Sequence, residues 1–187
     1  MTKIVPTTKP RRPESEIRQM LSGAGVDMSV AKVAVIGIRG YYLDTMGREN
    51  ANDRGIYDDA IFVLSDNVYA AYNANVDPSA FRKGVASLKP GVHWYRPGNH
   101  GISRPGGGYP AFRPANPQER LPVTRDGQTG DFWGIAINIH RGSHNSTSSL
   151  GCQTIHPSQW DGFQSLVMTE LKRAGMKKFP YLLAVER

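Results

Sequence analysis

The sequence predicts a mainly β fold with flanking helices, arranged as a β-sandwich or a β-barrel. Runs rich in β-branched and aromatic residues recur along the 187-residue chain, and turn residues separate them, with 20 Gly and 13 Pro in all. Strand and helix patterns do not alternate and no internal repeat is evident, which argues against a parallel α/β fold. We therefore expect a mostly antiparallel sheet on which a few helices pack.

Each predicted strand is a short apolar run bounded by turn residues. Two of these runs flank the polar triplet at 65–67, which is a β-hairpin signal. The stretch at 44–59 is too polar for the core, and the Gly- and Pro-rich stretch at 97–130 predicts a long surface loop. The predicted strands cover residues 30–38, 60–64, 68–72, 91–95, 132–140 and 179–185.

The clearest predicted helix begins at Pro157, because proline suits the first helical turn, and ends before Gly175. Its apolar side chains recur at helical spacing, at Trp160, Phe163, Val167 and Leu171. A shorter helix is predicted at 15–21. We expect residues 1–29 to form a flexible N-terminal arm that includes this short helix, and residues 30–187 to form a single domain.

Charge and composition narrow the class of partner. The chain carries 23 Lys and Arg against 16 Asp and Glu, a net charge of +7, which favours an anionic surface such as the bacterial envelope and equally serves solubility. The charge is evenly spread, without a basic run interleaved with aromatic residues, so we expect no nucleic-acid partner. No apolar run approaches the roughly 20 residues of a membrane helix, so we expect no membrane insertion.

The residues that carry chemistry are concentrated between positions 139 and 154. A predicted strand ends at His140, a Ser- and Asn-rich loop follows, and Gly151 leads into Cys152, the single cysteine of the chain. A thiol becomes a strong nucleophile as the thiolate, and a nearby imidazole can accept its proton. A lone cysteine near a histidine is more often structural on spacing alone, but the glycine-punctuated loop favours a reactive residue.

This pattern resembles the active-site signature of L,D-transpeptidase catalytic domains, the YkuD-like family. The resemblance lies in His140, Gly142 and the Ser149-Leu-Gly-Cys152 segment. The sequence around these residues also resembles that of phage-encoded members that lyse or remodel the cell wall. It implies a YkuD-like β-sandwich or barrel, a catalytic role for the 30–187 domain and a peptidoglycan stem-peptide substrate.

The resemblance also implies a role for each matching residue. Cys152 would be the nucleophile and His140 the general base, with the backbone amides around Leu150–Cys152 as the oxyanion hole. The supporting residues of that site are Gly151, Leu150, Ser149 and Gly142, and the residues expected to contact substrate are His144, Arg141 and Thr154.

Three departures from the family pattern leave the second half of the reaction open. Leu150 replaces a common His, Thr154 replaces a common Arg or Asn, and the loop from His140 to Cys152 is shorter than usual. Because these changes affect the acceptor side, hydrolysis of the stem peptide is at least as plausible as cross-linking.

Two other readings stay open at the level of sequence. The set His140, His144, Cys152 and His156 contains zinc-ligand residue types, but Gly142 and its polar neighbours argue against the helix that would align the first two. We therefore expect no metal and no cofactor. The second alternative is a non-catalytic envelope-binding or virion-associated protein on the same fold, with a vestigial cysteine.

The N-terminus lacks the apolar region of a secretory signal. For a phage-encoded enzyme this predicts synthesis in the host bacterial cytoplasm and action in the periplasm or cell wall, after passage through a holin-like pore or a secretion device. We expect the protein to be a monomer.

Overall fold

The computed structural model describes residues 4–103 and 105–186. It contains two helices, α1 (Glu14–Gly23) and α2 (Pro157–Arg173). The strands are β1 (Val33–Arg39), β2 (Asp59–Ser65), β3 (Tyr69–Asn75), β4 (Ala86–Leu88), β5 (Gly91–His100), β6 (Tyr109–Pro114), β7 (Arg120–Arg125), β8 (Gln128–Ile135), β9 (Ile139–Arg141), β10 (Gln153–Ile155) and β11 (Phe179–Val185).

Eight of the strands close into a barrel in the order β1-β11-β5-β6-β9-β10-β3-β2, and β4, β7 and β8 form a separate three-stranded sheet. Strands β1 and β11 pair in parallel, as do β9 and β10, and the other pairs are antiparallel. The predicted mainly β class with flanking helices is therefore confirmed in the described part of the chain, in its barrel form.

Helix α2 completes the larger hydrophobic core. Its buried face carries Trp160, Phe163, Val167 and Leu171, as the spacing predicted. Phe163 packs edge-on against Phe112 of β6, with ring centroids 5.8 Å apart. The helix begins with Pro157, and His156 caps it by accepting a hydrogen bond from the backbone N–H of Ser158. Burial of these side chains stabilises the packing of α2 on the barrel.

Helix α1 packs on the opposite, outer side of the barrel. Ile17 and Leu21 are fully buried there, in a second core that includes Ile36 of β1 and Phe62 of β2. Ahead of the helix, the backbone carbonyl of Arg11 accepts a hydrogen bond of 2.6 Å from the hydroxyl of Tyr41, which follows β1. These contacts attach residues 4–29 to the barrel, whereas their composition predicted a flexible arm. The domain limits at 29 and 30 stay a prediction.

The predicted surface loop at 97–130 is wrong. This stretch holds the end of β5, all of β6 and β7 and the start of β8. The strands were hidden because proline, which donates no backbone hydrogen bond, normally indicates a break in a sheet. Here prolines lie within the strands themselves, at Pro97, Pro110, Pro114 and Pro122.

The single buried strand predicted at 132–140 is also wrong. Strand β8 ends at Ile135, the chain turns at Ala136 with a φ of 54°, and β9 begins at Ile139. Trp133 and Ile135 are 60% and 63% exposed, because β8 belongs to the smaller sheet and presents one face to solvent. The apolar run therefore spans two sheets, and the turn between them sets the direction in which His140 emerges.

Candidate active site

Strands β9 and β10 place the two predicted catalytic residues on one face of the barrel wall. The strands pair in parallel with His140 opposite Thr154, and side chains opposite each other in such a pair point to the same face. The alternation of side chains brings Cys152, two residues earlier, to that face as well. The N–H of Gln153 donates to the carbonyl oxygen of Asn138 at 2.8 Å, so the pairing extends to the residue beside the cysteine.

A second histidine completes the cluster. A ring nitrogen of His100, a ring nitrogen of His140 and the sulfur of Cys152 all lie within 4.8 Å of one another. The two imidazoles stack with their centroids 3.9 Å apart and their planes at 25°. His100 is the last residue of β5. It lies in the stretch at 97–130 that the sequence predicted to be a surface loop, so the sequence did not indicate it as a site residue.

His140 is held in one orientation by the backbone of the next residue. Its Nδ1 lies 2.7 Å from the carbonyl oxygen of Arg141, and the hydroxyl of Tyr109 lies 3.0 Å from the same nitrogen. A carbonyl oxygen accepts only, so Nδ1 carries a proton, and in the neutral tautomer Nε2 is the ring nitrogen able to accept one. Arg141 thus contributes its carbonyl, while its exposed guanidinium lies over the Tyr109 ring.

The sulfur of Cys152 lies in a dry environment. The residue is 8% exposed, and the sulfur accepts a hydrogen bond of 3.4 Å from the backbone N–H of Asn138. Burial raises the pKa of the Cys152 thiol to about 11, although the hydrogen bond from Asn138 and the charge of Arg113 act in the opposite direction. The thiol is therefore neutral at physiological pH and depends on a base to become a nucleophile.

Ser149 braces the loop that carries the cysteine. Its hydroxyl donates to the carbonyl oxygen of Cys152 at 2.7 Å and accepts a bond of 3.0 Å from the N–H of Gly151. Its own N–H donates to the hydroxyl of Ser79, at 2.7 Å. The sequence predicted amides around Leu150–Cys152 as an oxyanion hole, and this bond shows that the Gly151 amide already has a partner.

Glycine is required at position 151 by the backbone and by a neighbour. The residue has a φ of 126°, and a Cβ there would lie 2.4 Å from the carbonyl oxygen of Ala86 in β4. The adjacent Leu150 is 70% exposed, so the loop passes close under the smaller sheet and then turns its apolar side chain outward. Gly151 is therefore a close-packing position next to Cys152.

Gly142 has a comparable role at the start of the same loop. A Cβ at this position would lie 2.1 Å from the hydroxyl of Tyr57 and 3.2 Å from the carbonyl oxygen of Thr147. Tyr57 is fully buried, and its hydroxyl donates to the carbonyl oxygen of Ser143 at 2.8 Å. Tyr57 lies in the stretch at 44–59 that was judged too polar for the core, so its role in fixing the loop was not foreseen.

The predicted substrate contacts separate into different environments. Thr154 is fully buried opposite His140 in the strand pair, and its role as a substrate contact stays a prediction. His144 is exposed and its ring packs edge-on against His156, with centroids 5.4 Å apart. Of the four residues weighed as a zinc set, only His140 and Cys152 belong to the one metal-compatible cluster found among the described residues.

No family model, curated protein or solved structure matches this chain. The resemblance to L,D-transpeptidases therefore rests on the motif residues around His140 and Cys152. Across residues 4–103 and 105–186, no helix is both long and apolar enough to cross a membrane.

Replacement of Gly142 by Ala is expected to destabilise the protein by roughly 1–3 kcal/mol, because the added methyl group displaces the Tyr57 hydroxyl and with it the loop. Urea unfolding followed by circular dichroism measures this loss. Gly162→Ala is the matched control, since no atom lies within 4 Å of that position in α2 and alanine favours a helix. Unchanged stability of Gly142→Ala would contradict the close-packing role.

The raised pKa of Cys152 predicts slow alkylation at neutral pH. Because only the thiolate reacts, the rate with iodoacetamide should rise about tenfold per pH unit and level off only near pH 11. Mass spectrometry of the single cysteine measures the rate without ambiguity. Unfolding in urea supplies the control, since the thiol then titrates near its ordinary value of about 8.5. A plateau below pH 7 would instead indicate a preformed thiolate–imidazolium pair.

Proposed function

We propose that the protein is a cysteine-dependent enzyme that hydrolyses or transpeptidates the stem peptides of bacterial peptidoglycan. The observation that carries the proposal is the placement of the Cys152 sulfur within 4.8 Å of a ring nitrogen of His140, whose Nδ1 is fixed by the Arg141 carbonyl. A nucleophile, a base and a group that orients the base are the parts that acyl transfer requires.

The reaction runs through a thioester. As the sulfur of Cys152 attacks the peptide carbonyl carbon, Nε2 of His140 accepts the thiol proton and the carbonyl oxygen becomes an oxyanion. Collapse of this intermediate breaks the C–N bond, and His140 returns the proton to the departing amine. Water or a second amine then attacks the thioester, loses its proton to His140, and the sulfur leaves to be reprotonated.

Burial of Cys152 fits a general-base mechanism better than a preformed ion pair. Its high pKa means that the proton leaves only when a base accepts it during attack, and general-base assistance is typically worth about 10²–10⁴ in rate. The sulfur of Cys152 and a ring nitrogen of His140 lie within 4.8 Å of each other, and catalytic contacts of this kind commonly shorten when substrate is bound. His140 is therefore as important to the rate as the sulfur itself.

The choice of peptidoglycan is supported by the motif resemblance and by charge. Bacterial walls are anionic, and the net charge of +7 favours residence on such a surface. For this substrate, we propose that the protein is a phage-encoded enzyme that is made in the host cytoplasm. It would reach the periplasm or wall through a holin-like pore or a secretion device, and act there as a monomer.

Cys152→Ala and His140→Ala should each lose at least about 10²-fold of the muropeptide conversion, because one removes the nucleophile and the other removes its base. Mass spectrometry of digested peptidoglycan measures the conversion. His93→Gln is the matched control: His93 lies 2.9 Å from the Lys89 carbonyl through Nε2, and glutamine can keep that bond.

Full activity of Cys152→Ala would overturn the covalent mechanism. Binding of the wild-type protein to peptidoglycan without any new muropeptide would favour the non-catalytic envelope-binding alternative.

The His100 position gives a specific reason to test a second mechanism. Two histidines and a cysteine within 4.8 Å are zinc-ligand types, and three such ligands would leave a fourth position for water. Under the thiol mechanism, activity after dialysis into EDTA should equal that of the untreated sample, with metal content measured on the same material. Loss of activity that added Zn²⁺ restores would replace the thiol mechanism by a metal-dependent one.

A further inference from the structure

A basic groove lies beside the nucleophile, on the side of the smaller sheet. We define it by its cationic rim, Arg82, Lys83 and Arg125, and its apolar floor, Ala86, Ile137 and Leu150. Its volume is about 340 Å³. Arg82 and Lys83 are exposed on the segment before β4, and Arg125 ends β7. Apart from the backbone of Leu150, which belongs to the expected oxyanion hole, none of these residues has a role in the thioester chemistry described above.

The rim of the groove keeps its positive charge. Among the described residues that line it, none is acidic, and the ion pairs of the described chain include none of the three rim cations. The carboxylate of Asp126 accepts a hydrogen bond of 3.2 Å from the backbone N–H of Arg82, but its charge is engaged by the guanidinium of Arg54 in a two-point ion pair. An anion in the groove would therefore meet three cations without competition from an acidic side chain of the rim.

Arg125 is fixed in place by neutral partners. Its guanidinium donates to the carbonyl oxygen of Gly84 at 2.7 Å and to that of Trp133 at 3.3 Å, and it lies over the ring of Phe132. These contacts set its position without neutralising it. Arg82 and Lys83 flank it on an exposed turn, so one rigid and two adaptable cations face the same space.

The groove begins one residue from the nucleophile. A Cβ placed on Gly151 would meet the backbone of Ala86 and the Cδ1 of Ile137, and both residues belong to the floor. Leu150, on the other side of Gly151, also lines it. A peptide whose carbonyl is attacked by Cys152 would thus have its adjoining residues over this floor, since an extended residue spans about 3.3–3.6 Å.

We infer that the basic groove binds a free carboxylate of the substrate peptide, one or two residues from the bond that Cys152 attacks. The inference rests on the proposed function and names its substrate class: stem peptides with free carboxylates rather than amidated ones. The apolar floor accommodates the aliphatic part of the same residue, and the cationic rim selects its charge. The groove therefore distinguishes peptidoglycan whose stem peptides carry free carboxylates from peptidoglycan in which they are amidated.

The test is direct binding of two peptides to the full-length Cys152→Ala protein by isothermal titration calorimetry. One is a tetrapeptide stem with free carboxylates, and the other has the same sequence with those carboxylates amidated. We expect the free acid to bind at least about tenfold more tightly, and the difference to shrink as salt is raised.

Variants locate the effect in the groove. In the same background, Arg82→Gln with Lys83→Gln should weaken binding of the free acid about tenfold and leave the amidated peptide unchanged. Lys177→Gln removes one exposed positive charge elsewhere and should alter neither. Arg125 is left intact because its side chain also braces the sheet.

The outcomes distinguish carboxylate binding in the groove from the proposed function, which is action on stem peptides. Equal affinity for both peptides, or an unchanged preference in the Arg82/Lys83 double variant, would overturn the groove while leaving stem-peptide recognition in place. Binding of neither peptide would overturn the inference together with the proposed substrate.

Discussion

The site depends on the pairing of two three-residue strands. Strands β9 and β10 are parallel neighbours that complete the barrel wall between β6 and β3. Their inward residues, Ile139 and Ile155, are fully buried in the core, and this burial fixes the register. A slip of one residue would turn the side chain of His140 into the core and the side chain of Ile139 away from it. The hydrophobic interior therefore determines that His140 and Cys152 lie together on the face of the strand pair that points away from the core.

The loop between these strands is held from both sides, which is why so short a pair can position a reactive residue. Tyr57 approaches closely enough to require Gly142, and β4 approaches closely enough to require Gly151. Between these two points, Ser149 ties the loop to its own cysteine through the Cys152 carbonyl. Contacts of this kind fix the backbone of the loop, and they require small or hydroxylated residues at Gly142, Ser149 and Gly151.

The sequence was sufficient where a periodic pattern coincided with one element. The hairpin of β2 and β3 and the helix α2 follow from apolar spacing and turn residues, and so does the presence of His140 at the end of an apolar run. Prediction failed where long-range contacts decide. His100 reaches His140 only because β5 and β6 continue through prolines, and no local pattern shows that two imidazoles 40 residues apart will stack.

Buried polar residues were a second source of error. Asp59 begins β2 within a stretch that seemed unsuited to the core on composition. Its carboxylate accepts hydrogen bonds of 2.6 Å from the backbone N–H groups of Gly40 and Val76, and so joins the ends of two strands. A buried carboxylate is tolerated when such donors satisfy it, and those donors belong to segments that sequence reading treats independently.

The dry environment of the sulfur has a consequence for the oxidation of Cys152. Oxidation of cysteine to sulfenic acid proceeds through the thiolate and needs access by the oxidant. Cys152 is 8% exposed with a pKa of about 11, so both conditions are poorly met in the resting protein. The chain has no second cysteine with which a sulfenic acid could form a protective disulfide. We therefore expect Cys152 to be oxidised slowly by peroxide in the folded protein.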